Sequence, residues 1–130
     1  MNTKQVIIMR KDLNMRKGKM VAQGAHASMK AILDQGSIRE YEQNTEYSIP
    51  LSLDMRDWLE GLFTKVCVGI ESEEALRVIY DKAVDLGLPC SIIEDAGLTE
   101  FKGVPTITCA AIGPGDVDTI NELCSHLKLL

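Results

Sequence analysis

Apolar positions along this chain follow two alternating rhythms. Short runs occur at residues 4–10 (KQVIIMR), 64–70 (TKVCVGI), 90–93 (CSII) and 104–112 (VPTITCAAI). Runs of this length, rich in Val, Ile and Thr, predict strands, and the unbroken VIIM predicts one covered on both faces. Between them lie stretches with apolar residues three and four apart, the spacing of one helix face. The longest, residues 18–35, has Val21, Ala25, Met29 and Ile32 as its expected core stripe and Gly36 as its stop. Ser72 heads a second helix, with two acids at its positive end and Leu76, Ile79, Ala83 and Leu86 turned inward; Gly87 and Pro89 end it. Asp116 caps a last helix lined by Val117, Ile120, Leu123, Cys124 and Leu127. A short helix over 55–62, capped by Ser52 or Asp54, offers Trp58, Leu59 and Leu62. Residues 37–53 are polar, mix charges and contain Ile49-Pro50, which predicts a helical continuation passing into a loop. Gly113-Pro114-Gly115 predicts a turn.

The order is therefore β, α, short α, β, α, β, β, α. Such alternation predicts an α/β fold: one compact domain over residues 1–130, with a mixed, mostly parallel four-stranded sheet and helices on both faces, the adjacent strands at 90–93 and 104–112 leaving room for an antiparallel partner. A chain of 130 residues can build one real core. No apolar run approaches the roughly 20 residues that cross a bilayer, and the N-terminal stretch turns charged too soon for a secretory leader. The four cysteines lack any CxxC spacing, and Cys67, Cys90 and Cys109 lie in or beside apolar runs. That usage predicts free thiols in a reducing, cytoplasmic setting and no zinc site.

Charge changes the picture. The net value is −5, which by itself argues against a nucleic-acid partner. Residues 1–30, however, hold seven basic side chains against Asp12 alone, while the other hundred hold seven basic and eighteen acidic ones. A local cationic patch on an acidic body still meets a polyanion, because near fields outweigh the total.

Two stretches carry candidate chemistry. On the first helix, Lys19, Gln23, His26 and Lys30 fall at steps of four, three and four, one narrow polar stripe, with Arg16, Lys17 and Gly18 at its start. Free N–H groups and cations there suit a phosphate; a solvated lysine face with a surface histidine fits the same pattern. The second stretch, Glu94-Asp95-Ala96-Gly97-Leu98-Thr99, directly follows a strand. Asp95 would orient or deprotonate a partner, Gly97 permits a tight backbone, and Thr99 adds a hydroxyl; an ordinary turn fits these residues too. The chain has no G-x-S-x-G elbow, H-E-x-x-H helix or P-loop, which disfavours serine hydrolases and zinc hydrolases of those kinds.

MRKGKMVAQGAHASM and IIEDAGLTE, followed by AAIGPGDVDTINELCSHLKLL, resemble in order the motifs of the type 2 peptidyl-tRNA hydrolases, and KQVIIMRKDLNM resembles their N-terminal segment. The resemblance implies a compact α/β fold with a mixed four-stranded sheet, usually a homodimer, without metal or cofactor. It implies hydrolysis of the ester between a peptide and the terminal ribose of tRNA, with no DNA or membrane partner. The family's functional lysine, glutamine and histidine fall on Lys19, Gln23 and His26, and its aspartate and threonine on Asp95 and Thr99. In that reading His26 and Asp95 position and activate water, Thr99 and Gln23 hold the water or the peptide end, and Lys19 serves the oxyanion or the terminal phosphate. Lys17, Arg16 and Lys11 grip the acceptor-stem backbone without reading sequence. Leu98 departs from the family, standing where a basic or polar residue is usual, and residues 100–108 run about one residue long. A binding module of the same fold, holding tRNA or a protein as a dimer without hydrolysis, is the competing class.

Overall fold

The computed structural model describes residues 2–98 and 100–130. The chain runs β1 (Thr3–Arg10), α1 (Lys17–Leu33), β2 (Ser37–Glu40), β3 (Thr45–Ser48), α2 (Leu53–Glu60), β4 (Lys65–Ile70), α3 (Glu73–Asp85), β5 (Cys90–Asp95), β6 (Thr106–Asp116) and α4 (Val117–Cys124). The expected caps form: Ser52, Ser72 and Asp116 each accept a hydrogen bond from the backbone N–H three residues on.

Four strands make one sheet in the order β4-β1-β6-β5. The sheet is mixed, but "mostly parallel" is corrected: β1 pairs parallel only with β4, while β6 runs antiparallel to both β1 and β5. The reason lies in the connections. The long excursion from β1 to β4 carries helices and returns the chain for a parallel pairing. Among the described residues between β5 and β6 there is no helix, so the chain simply reverses. Gly113-Pro114-Gly115 is likewise not a free turn but the buried end of β6, where the register against β1 shifts. Gly113 has φ +97, and a Cβ there would meet the Lys4 carbonyl oxygen, so only glycine fits.

Helices cover both faces. On one, Val6, Ile8, Val68, Ile70, Ala110 and Ile112 meet Leu76, Ile79 and Ala83 of α3 and Ile120, Leu123 and Cys124 of α4. On the other, Ile7, Met9, Ile93, Cys109 and Ala111 meet Ala27 and Ala31 of α1. Each fully buried large aliphatic contributes about 1.5–3 kcal/mol, so these two layers dominate stability.

The expected core stripe of α1 is corrected. Val21, Ala25 and Met29 face solvent, with Val21 73% and Met29 60% exposed. The buried face is Gln23, Gly24, Ala27, Ser28 and Ala31. Small side chains let the helix lie close to the sheet, and its buried polar groups find partners there. Ser28 Oγ donates to Gln5 Oε1 at 2.6 Å, Gln5 Nε2 donates to the Ser28 and Gly113 carbonyls at 3.2 Å, and Ser91 Oγ donates to the Ala27 carbonyl at 2.7 Å.

Residues 37–48 are a two-stranded antiparallel hairpin, not a helical continuation and loop. It stands off the body, with the Tyr47 hydroxyl donating to the Leu33 carbonyl at the end of α1. On α2, Met55 and Trp58 are buried, whereas Leu59 and Leu62 are exposed, since Trp58 anchors the helix by donating to the Thr64 carbonyl at 2.7 Å.

Candidate active site

The first turns of α1 meet the C-terminal end of β5, and this brings the two informative stretches together. Lys19 lies at the start of the buried face of α1, and its Nζ reaches Asp95 Oδ1 at 2.8 Å. Both side chains are only 14% exposed. One turn on, Gln23 Nε2 donates to the same oxygen at 3.3 Å. Asp95 Oδ2 accepts the Gly97 backbone N–H at 2.9 Å. The Lys19 ammonium, the Gly97 N–H and the Gln23 amide hold the Asp95 carboxyl below its ordinary range, against the opposing effect of burial. It is therefore an ionised carboxylate at neutral pH.

Behind this pair stands a residue the sequence reading did not single out. Thr108 on β6 is fully buried and donates through its hydroxyl to Gln23 Oε1 at 2.6 Å. That bond fixes which end of the Gln23 amide faces Asp95. Cys109 Sγ adds a contact to the Gln23 carbonyl at 3.3 Å. The only sequence signal for Thr108 was a polar position inside an otherwise apolar strand. Phe101 lies under Lys19, with the ammonium 5.7 Å from the ring centroid.

The loop from Asp95 to β6 is shaped by Gly97, which has φ +82 and whose Cβ would collide with the Val104 backbone. Gly97 is buried and spends its N–H on Asp95, so its place is in building the loop. Gly103 N–H closes the loop on the Gly97 carbonyl at 2.8 Å. Glu100 ties it to the start of α1, 3.8 Å from Arg16 Nε. Leu98 is exposed, and Thr99 lies outside the described residues.

His26 is exposed on α1, and among the described residues no hydrogen bond joins it to Asp95. It lines a groove with Met29, Ile93 and Glu94. The basic residues of the first thirty are largely paired. Lys4 donates to Asn121, Arg10 is engaged by Asp12 and the Ile107 carbonyl, Lys11 lies 3.7 Å from Glu71, and Lys30 lies 3.1 Å from Asp34. The cationic patch is thus weaker than its count suggests. Arg16, although 3.8 Å from Glu100, keeps a side chain 89% exposed, and Lys17 stands at the N-terminus of α1, which has no acidic residue in its first turn. Lys11 sits at the same end of the sheet but toward the β4 edge. Among the described residues no group of three or more His, Cys, Asp or Glu side chains is placed to hold a metal ion.

These features define an α/β protein whose candidate centre is a mostly buried lysine–carboxylate pair at a sheet end, beside a cationic helix start. The family model described as "Peptidyl-tRNA hydrolase PTH2" matches residues 3–130. Proteins named peptidyl-tRNA hydrolase are similar over nearly their whole length. That of Methanocaldococcus jannaschii is 44% identical across 98% of this chain and 99% of its own. That of Sulfurisphaera tokodaii is 40% identical across 100% of both, and that of Methanothermobacter thermautotrophicus is 39% identical across 98% and 99%. The chain belongs to the PTH2 family of peptidyl-tRNA hydrolases.

Proposed function

We propose that this protein hydrolyses peptidyl-tRNA, cleaving the ester between the peptide and the terminal ribose and freeing the tRNA. The observation that carries the chemistry is the Lys19–Asp95 pair at 2.8 Å, held by Gln23 and the Gly97 N–H. Water attacks the ester carbonyl, negative charge develops on the carbonyl oxygen, and the ribose hydroxyl leaves with a proton. Lys19 stabilises that oxygen, the kind of contribution that strengthens as charge develops in a partly desolvated site. Asp95 keeps the ammonium aimed and orients the attacking water. Its depressed pKa makes Asp95 a weak proton acceptor, which leaves that step to another group. His26 is accordingly assigned proton uptake, as a group separate from Asp95 and not in a relay with it. Gln23 positions the carboxylate, and Thr99 is assigned to the water or the peptide end.

Arg16 and Lys17, with the N–H groups of the first turn of α1, bind the acceptor-stem phosphates, and Lys11 makes a more distant contact. The protein acts in the cytoplasm as a homodimer. Supporting the dimer, Ile38 on the hairpin and Leu53 and Leu62 at α2 are 64%, 79% and 95% exposed. Light scattering that returns one chain mass at micromolar concentration would remove that element.

The test is single-turnover hydrolysis of N-acetyl-aminoacyl-tRNA beside the unblocked aminoacyl-tRNA, with wild type and Asp95→Ala. The expected outcome is rapid cleavage of the blocked substrate only, lost in the variant and falling steeply with added salt. Binding of tRNA without cleavage would overturn hydrolysis in favour of a binding module.

A further inference from the structure

The two edges of the sheet are treated differently. The β4 edge is covered by the end of the chain: Val68 bridges Leu129, Gly69 N–H donates to the Lys128 carbonyl at 2.9 Å and Leu130 N–H to the Cys67 carbonyl at 3.1 Å. The β5 edge is open. β5 pairs with β6 alone, and among the described residues no other backbone segment hydrogen-bonds to Cys90–Asp95. An open edge is a row of unused donors and acceptors that proteins ordinarily blunt or cover.

Beside that edge α1 leaves a groove of about 600 Å³. Its apolar lining comes from Met29, Leu33 and Ile93, and its rim from His26, Lys30 and Glu94. The groove lies along the same two elements that build the candidate centre. β5 ends on Asp95, next to Glu94, and α1 carries Gln23 one turn before His26. The rim holds both signs of charge, which selects against no particular peptide.

We infer that the β5 edge and this groove form the subsite for the peptide moiety of peptidyl-tRNA, which adds to β5 as a fifth, strand-like segment of the sheet held by its main chain. The inference rests on the hydrolase reading above. The direction follows from the site: with the esterified carbonyl at Asp95, a peptide lying along β5 toward Cys90 runs parallel to it. At about 3.3 Å per residue, the span lined by Ile92 to Glu94 takes about three peptide residues. Main-chain pairing suits a substrate whose side chains vary without limit, because the amide groups are the one feature all peptides share.

The experiment measures KM and kcat on one tRNA carrying N-acetylated peptides of one to five residues. KM should fall about threefold per residue up to about three residues and then level off, with kcat little changed. Alternate amides of an added strand face β5, so an N-methyl group on one of the second and third peptide nitrogens should cancel the length gain while the same group on the other leaves it. Met29→Glu, on an exposed groove residue outside the catalytic set, should abolish the length advantage yet leave N-acetyl-aminoacyl-tRNA cleavage within twofold. A KM independent of length, or a length gain untouched by N-methylation, overturns the subsite while hydrolysis stands. A gain that appears only on dilution overturns it in favour of a second copy on the edge. Failure to cleave any member of the series overturns the hydrolase reading instead.

Discussion

Replacing Thr108 by Val tests how the centre is held. The change removes one hydroxyl and keeps the branched shape, so packing between β6 and α1 is nearly conserved. What is lost is the 2.6 Å bond to Gln23 Oε1. Gln23 is only 3% exposed, so that oxygen has no water to turn to. An unsatisfied buried acceptor costs about 1–3 kcal/mol. With a urea dependence of about 2 kcal/mol per M for a small domain, the unfolding midpoint should fall by about 1 M. Activity should fall as well, for a separate reason. Once the hydroxyl is gone, only the 3.3 Å bond to Asp95 fixes which end of the Gln23 amide faces the carboxylate, and a flipped amide sets oxygen against it. Losing that donor should raise the Asp95 pKa toward the ordinary range and cost about 1 kcal/mol at the transition state, roughly fivefold in kcat. Urea unfolding and single-turnover rates on N-acetyl-aminoacyl-tRNA measure the two effects. Thr108→Ser keeps the hydroxyl and should retain most of the rate. An unchanged midpoint and rate in Thr108→Val, or equal damage from Ser and Val, would refute the reasoning.

Lys19→Met and Asp95→Asn should each lower turnover by about 10²–10³-fold, against less than about threefold for Lys11→Ala, whose side chain is half exposed and paired with Glu71; equal, small losses in single-turnover assays of all three would refute the assignment. Because the Asp95 pKa is lowered on folding, its contribution to stability is fully present above the ordinary carboxylate value of about 3.9 and is lost as pH falls through the depressed native value. Stability measured by urea unfolding from pH 7 to 3 should therefore lose this contribution only at the acid end, and Asp95→Asn should flatten that part of the profile. Gly97→Ala combines a φ of +82 with a collision against Val104, and should cost about 1–3 kcal/mol, several degrees in Tm; Gly103→Ala, at φ +78 with nothing within 4 Å, should cost less. Equal thermal shifts would show that the close approach at Gly97 has no weight.

Much of the fold was readable because it depends on local chemistry. Ser52, Ser72 and Asp116 are good caps wherever they precede a helical period, and the runs around Ile7, Val68 and Ala110 are buried as strands must be. The hairpin was not readable for the opposite reason. Every residue of β2, and all but Ser48 of β3, is exposed, so no period-two burial pattern exists to be found. Strand direction is legible in part: the adjacent strands β5 and β6 leave room for the antiparallel pairing they make, whereas the antiparallel pairing of β6 with β1 does not follow from the alternation of elements.

The error on α1 bears most directly on function. Its helical period is legible, but hydrophobicity alone sets the phase at Val21, Ala25 and Met29. The sheet instead meets Gln23, Ala27, Ser28 and Ala31. A helix that had only to fill a core would bury the valine and methionine and turn the glutamine outward. Burying Gln23 draws it between Thr108 and Asp95 and places Lys19, one turn earlier, against the same carboxylate. It also turns Met29 toward the groove beside the open edge of β5. One rotation of one helix thus accounts for the polar centre, the exposed apolar stripe and the groove together. Local hydrophobic logic is overridden where chemistry has to be held in place, which is where such a departure is expected.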